Sequence, residues 1–283
     1  MNVYVSSRYD ERIVQLAVGI EPRDAASNQR LGADLDVRIE RFGSPVGEWR
    51  PWRAGETLTT VLPRMHRHHT GRFAHRYDQG VTADFDVRLV HHGRRIVPRR
   101  LRAAVPPAGG PPVPIWQRAF PVWCMPGSAA HLPSRTTVLR GTIVRDDGTG
   151  QLVAVRWARV RLRNAGGLDV AWAHGDDRGE FVAVVTQSPD DLVVPVDPLP
   201  VTITIGATLP PPDPDPADPL RAQVDPLWDL PLETIAPSAT PETEATLTGR
   251  RFLPGHSLLS PLDPPQPVAL PHGTETSVVI RIA

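Results

Sequence analysis

The sequence predicts an all-β protein made of tandem antiparallel β-sandwich modules followed by a Pro-rich extended C-terminal arm. Three observations predict it. Short stretches alternate apolar with charged or hydroxyl residues, as half-buried strands do. Turn-forming Gly, Pro, Asn and Asp close almost every stretch, and 33 Pro with 22 Gly among 283 residues leave little room for long helices. A set of landmarks also recurs in the same order, which is the signature of a repeated module.

The strands can be taken in chain order. Leu35-Asp36-Val37-Arg38-Ile39 places three apolar side chains on one face and two charges on the other. Phe85-Asp86-Val87-Arg88-Leu89, Ala158-Arg159-Val160-Arg161-Leu162 and Val201-Thr202-Ile203-Thr204-Ile205 repeat the pattern with β-branched or aromatic residues inward. Residues 8–16 hold too few apolar positions to define more than a turn or two of helix. The repeat runs through Pro22-Arg23-Asp24, Val37-Arg38-Ile39, Thr70-Gly71-Arg72-Phe73-Ala74 and Phe85–Leu89. It returns as Val144-Arg145-Asp146, Val160-Arg161-Leu162, Arg178-Gly179-Glu180-Phe181-Val182 and Val201–Ile205. Equivalent landmarks lie roughly 110 to 120 residues apart, one sandwich domain.

This gives four segments: an N-terminal module over 1–105, a Pro/aromatic linker over 106–135, a second sandwich over 136–206 and a Pro-rich extension over 207–283. The linker opens with polyproline character at 106–114 and then interleaves Trp116, Phe120, Trp123 and Met125 with Pro. Its aromatics either fill the cleft between modules or form a ligand platform. About 20 of the 33 Pro follow residue 188, including the run 210–216, and the chain closes in a strand, Ser277-Val278-Val279-Ile280-Arg281-Ile282-Ala283. Such a strand needs a pairing partner.

Composition excludes several function classes. Hydrophobic residues are 40% and charged residues 22%, which supports a packed core. Cations and anions balance at 31 each, and every cation is Arg, so no global field favours nucleic acid or an anionic membrane. The basic stretch Arg95-Ile96-Val97-Pro98-Arg99-Arg100 lacks aromatic interleaving and reads equally as a rim for an acidic protein surface. No apolar run reaches the ~20 residues of a spanning helix, and Met1-Asn2-Val3-Tyr4-Val5 has neither the basic nor the apolar region of a secretory signal. The expectation is a cytoplasmic protein without membrane insertion. Charge is nevertheless segregated: 18 Arg face 12 acids in 1–105, nine face six in 106–185, and four face 13 in 186–283. Either the acidic arm folds over its own basic module, or neighbouring copies dock head-to-tail.

No constellation predicts catalysis, a cofactor or a metal. A nucleophile elbow, a phosphate-binding Gly loop with Lys and a His-Glu-x-x-His helix are all missing. His66, His68 and His69, with His75, His91 and His92 near in sequence, are the densest imidazole group. They sit among Arg residues in a turn, and whether they have a pH or metal role is left open. Cys124 has no neighbouring base in sequence and reads as buried filler. Asp146, Gly148, Asp177, Gly179 and Gly71 read as turn residues, with Phe73 and Phe181 entering the core just after the turn.

The stretches Val138-Leu139-Arg140-Gly141-Thr142-Ile143-Val144, Ala158–Leu162 and Asp176-Asp177-Arg178-Gly179-Glu180-Phe181 resemble a carboxypeptidase regulatory-like domain, with a fainter version in the first module. The resemblance implies a transthyretin/Ig-like sandwich of seven strands and a non-catalytic accessory role. The layout as a whole, with Trp157-Ala158-Arg159-Val160 and His174-Gly175-Asp176-Asp177-Arg178-Gly179-Glu180-Phe181, is similar to accessory proteins of contractile phage-tail-like particles, including extracellular injection systems. That similarity implies a structural subunit near the cap or baseplate, assembled with other protein subunits into a multi-copy particle. Trp116, Trp123, Val278, Ile280 and Ile282 are the candidate interface residues, the last three adding to a neighbour's sheet. Deleting 207–283 is then expected to leave a folded protein that does not incorporate. The alternative is a ligand- or carbohydrate-binding module that uses Trp49, Trp52, Trp116 or Trp123.

Overall fold

The structure is a computed structural model of the chain. It describes residues 16–41 (less 28, 32 and 33), 64–76, 85–105 (less 104), 113, 118–185, 198–207, 227–235 (less 228), 260–261 and 266–282. Within them every regular element is a strand, so the chain is all-β as its alternation predicts. Trp49, Trp52, Trp116, residues 8–15 and the 210–216 Pro run lie outside the described residues.

The first module is two four-stranded sheets. One carries β3 (His66–Arg67), β4 (Phe73–Arg76), β1 (Leu16–Asp24) and β7 (Ala119–Cys124) in that order. The other carries β14 (Leu232–Ile235), β6 (Arg99–Ala103), β5 (Phe85–His91) and β2 (Leu35–Arg41). Ile20, Phe73 and Phe120 from the first meet Val37, Ile39, Val87, Leu89 and Leu101 from the second in one buried core. Each such side chain contributes about 1.5–3 kcal/mol on leaving water.

The second module repeats the plan. β12 (Glu180–Val184), β8 (Val138–Asp146) and β17 (Glu275–Ile282) form one sheet, with the short β9 (Leu152–Ala154) also on β8. β11 (Asp169–His174), β10 (Arg159–Asn164) and β13 (Leu199–Ala207) form the other, with β15 (Ser260–Pro261) and β16 (Gln266–Leu270) both on β13. Leu139, Val160, Phe181, Ile203, Ile280 and Ile282 fill its core.

The wiring of the two modules corresponds at six strands in each, while β3, β9, β11, β14 and β15 have no counterpart among the described residues. β1 has β4 antiparallel on one side and β7 parallel on the other; β8 has β12 and β17 in the same senses. β2–β5–β6 in the first module matches β10–β13–β16 in the second. The four landmarks of the sequence repeat fall on β1/β8, β2/β10, the β4/β12 entries and β5/β13, so the repeat is a repeat of topology.

Two segment boundaries differ from expectation. Segment 106–135 is more than a linker, because Ala119–Cys124 is an edge strand of the first module, with Phe120, Val122 and Cys124 facing its core. Pro121 disguised the alternation; proline is tolerated there because β7 is an edge strand. Segment 207–283 is likewise no external arm along its described length. From Ala207 on β13 the chain crosses to the first module, adds β14 parallel to β6, and is back on β13 at Ser260 before supplying β16 and β17.

The outer face of β2 and β5, expected to be solvated, is covered as well. Asp36, Arg38, Asp86 and Arg88 are 8%, 5%, 2% and 0% exposed. For Asp36, Arg38 and Asp86 ion pairing permits this: Arg38 meets Asp36 at 2.7 Å, and Arg102 donates from Nε and Nη2 to the two oxygens of Asp86 at 2.7 and 2.8 Å.

Candidate functional site

The predicted turn residues are placed as turns. His68 N–H donates to the Arg72 carbonyl at 2.7 Å, and Gly71 takes φ 80° inside that loop. Asp146 Oδ1 accepts from the N–H groups of Gly148 (2.8 Å) and Gly150 (3.0 Å), and Gly148 has φ 88°. Gly179 has φ 73° beside Phe181, which is 1% exposed; Phe73 is 3% exposed. Asp177 sits in its turn as well, but its side chain has another role. The residue that caps this turn is Asp176, whose Oδ1 accepts from Arg178 N–H (2.8 Å) and Glu180 N–H (3.0 Å). Asp177 is left free to pair with Arg94 of the first module.

That pair belongs to the seam between the modules, where several buried charged groups from both modules meet. Glu233, carried in by β14 and 2% exposed, accepts from Arg99 of β6 and from Arg159 of β10, the latter at 2.5 Å. Arg99 also donates to the Trp123 carbonyl (2.5 Å), and Arg159 to the Trp157 carbonyl (2.9 Å). Burial presses the Arg159 guanidinium below its ordinary value while Glu233 opposes it; a guanidinium keeps its charge regardless. One carboxylate thus bridges two cations from different modules. Next to it, Asp229 accepts from Arg156 (2.7 Å) and from the indole Nε1–H of Trp157 (2.8 Å). Trp157 itself sits at φ 57°, a strained setting for an aromatic residue.

Two apolar clusters flank the ion pairs. Val97, Trp157 and Leu230 pack with Leu227, and Ala25, Trp123 and Met125 pack with Trp172. Trp123 is 2% exposed, which removes it as a surface platform and makes it seam filling. Sequence reasoning missed Arg99, Arg159, Asp229 and Glu233 as a group. The only signal was the opposite charge of the N- and C-terminal thirds, and at this seam that charge is satisfied within one chain.

Val278, Ile280 and Ile282 belong to their own module. Ile280 and Ile282 are 3% and 1% exposed in the second core, with Val278 packed against it, because β17 pairs with β8 of the same chain over eight residues. With these side chains turned inward, only the main-chain edge of β17 is available to a neighbour, not Ile280 or Ile282 themselves.

His66, His68 and His69 are exposed on β3 and the turn after it, and His68 Nδ1 lies 2.9 Å from Thr70 Oγ1. Among the described residues no three His, Cys, Asp or Glu side chains converge as metal ligands. Burial pushes the Cys124 thiol up to about 12, so it is protonated near neutral pH. A different charged group stands out on β1. Burial works to raise Glu21, but Arg72, Arg30 and Arg23 outweigh it and hold the carboxyl at about 2. Their contacts are 2.6, 3.1 and 2.5 Å. A cleft of about 320 Å³ opens near the seam, lined by Asp24, Arg30, Asp34, Arg95 and His131 over Leu132.

No protein-family model matches the chain, and no curated protein matches it. Among solved structures, the Bacillus anthracis TIE protein is similar at a TM-score of 0.25 and 7% identity over 94% of this chain. The chain spans 34% of that protein's length. GBS52, the minor pilin of Streptococcus agalactiae, gives 0.25 and 7% over 94% of this chain and 95% of its own. The shaft pilin spaA of Lactobacillus rhamnosus GG gives 0.23 and 8% over 96% and 98%. The distance is too great for these likenesses to say anything about site or activity.

Proposed function

We propose that the chain is a non-catalytic structural or adaptor subunit that works by docking other protein subunits. The observation that carries this reading is the use made of buried charge. Arg99, Arg159, Asp229 and Glu233 go into fixing one sandwich against the other, and not into lining a cleft. A carboxylate shared between guanidinium groups of two modules inside a seam resists relative motion of those modules. A subunit that transmits position or load between neighbours needs that property; a catalyst needs reactive groups facing a substrate.

The finer reading is a subunit of a contractile phage-tail-like particle, at the cap or baseplate and assembled in the cytoplasm. Its support is the sequence resemblance to carboxypeptidase regulatory-like modules in tandem and to the layout of accessory proteins of such particles. Affinity purification of the tagged full chain from its native cells, with mass spectrometry of what accompanies it, tests both levels. Sheath, tube or baseplate subunits in fixed ratio are the expected result. Recovery of the chain alone, at native expression, overturns the assembly reading. Recovery with unrelated subunits overturns only the contractile-particle assignment.

A further inference from the structure

Among the described residues β17 is the edge of its sheet. It pairs with β8 on one side, and among the described residues no strand pairs with the other. The equivalent edge of the first module, β7, is interrupted by Pro121 and has Phe120, Val122, Trp123 and Cys124 buried. β17 has neither safeguard. It is eight residues long, contains no proline, and turns Glu275, Ser277, Val279 and Arg281 outward, with Val279 76% exposed. An unpaired edge of that length offers a row of main-chain donors and acceptors to another strand.

The outward charges say which strand fits. Glu275 and Arg281 lie three residues either side of Val278. If a second copy of β17 is laid antiparallel with Val278 opposite Val278, Glu275 of each copy meets Arg281 of the other, and Ser277 meets Val279. The existing ion pairs extend this. Glu275 already contacts Arg140 at 2.9 Å, and Arg281 contacts Asp146 at 3.1 Å. Across the seam the order becomes Arg140, Glu275, then Arg281 and Asp146 of the second copy, alternating in sign, and it occurs twice. A parallel alignment or a shift by two residues loses this match, so register and direction are both specified.

We propose that this edge is a self-pairing surface: two copies of the chain join antiparallel along Glu275–Ile282 about a two-fold axis at Val278, making one continuous sheet across the dimer. The contact is isologous, in contrast to head-to-tail docking. A single edge pairing buries little area, so the affinity is in the micromolar range and gains from repetition in an assembly. The pairing goes beyond the assembly reading and stands separately from it.

Sedimentation analysis of the purified full chain from about 1 to about 300 μM, a range that brackets weak pairing, tests it. The expected result is a concentration-dependent dimer that weakens several-fold in about 1 M salt, where the Debye length is about 3 Å. Glu275→Arg and Arg281→Glu each place like charges opposite one another and are expected to sediment as monomers throughout. Their equimolar mixture restores opposite signs at both ends and is expected to return the dimer. The altered side chains are 52% and 62% exposed, so circular dichroism and thermal melting should show both variants folded. A wild-type monomer at the highest concentration overturns the proposal. So do variants that dimerise like the wild type, or a mixture that stays monomeric. A self-pairing chain that brings down no other subunit from cells overturns the assembly reading alone; a monomeric chain that brings them down overturns the pairing alone.

Discussion

Gly179 shows how a single position can be forced. Its φ is 73°, and a Cβ there would lie 2.6 Å from the Ile143 carbonyl oxygen, a backbone atom that cannot swing aside. Gly179→Ala therefore combines left-handed strain with a backbone clash. It is expected to destabilise the fold by about 2–4 kcal/mol, read as a lower urea midpoint. Gly141 is constrained differently: a Cβ would sit 2.5 Å from the Phe181 ring, so the large core residue on β12 requires the small one on β8. Glu21 makes a pH prediction. Its folded pKa is depressed to about 2 from an ordinary 4.5, so its contribution is fully present above 4.5 and is lost as pH falls toward 2. Arg30 and Arg72 are 44% and 48% exposed, so solvent screens the pairs and the contribution is about 1–2 kcal/mol. Urea melts at pH 7 and pH 3 should show Glu21→Gln losing most of its deficit at the lower pH.

At the scale of elements, strands were legible wherever alternation ran unbroken. β2, β5, β10 and β13 each show apolar residues at every second position, and they lie where the sequence puts them. β7 and β16 were not legible as strands, since Pro121 and Pro267 interrupt them, and β14 is only four residues long. All three are edge or terminal strands, where proline removes no ladder hydrogen bond that a neighbour needs. Their placement reverses one expectation. Deleting 207–283 removes β14 from the first module and β15, β16 and β17 from the second, taking Leu270, Ile280 and Ile282 out of its core. The truncated chain is expected to lose the second module's cooperative unfolding altogether, with circular dichroism and proteolysis showing that half unfolded.

At the scale of the whole molecule, stability is coupled through one carboxylate. Glu233 answers both Arg99 and Arg159, so Glu233→Ala leaves two buried cations without it and is expected to cost about 3–5 kcal/mol. Because the loss falls at the seam, the wild type should unfold in urea as one transition and the variant as two. Fluorescence of Trp123, Trp157 and Trp172, all in or beside the seam, should report the first. A variant that still unfolds in a single transition would contradict the coupling. The sequence by itself determined the class of fold, the repeat and the turn chemistry, because period-two alternation and positive-φ glycines are local properties written residue by residue. Only the tertiary structure decided which module each late strand completes, which carboxylate meets which guanidinium, and which strand edge is left open among the described residues. Those depend on distances between segments as far apart as Arg99 and Glu233, separated by 134 residues, and no local pattern encodes a pairing across that span.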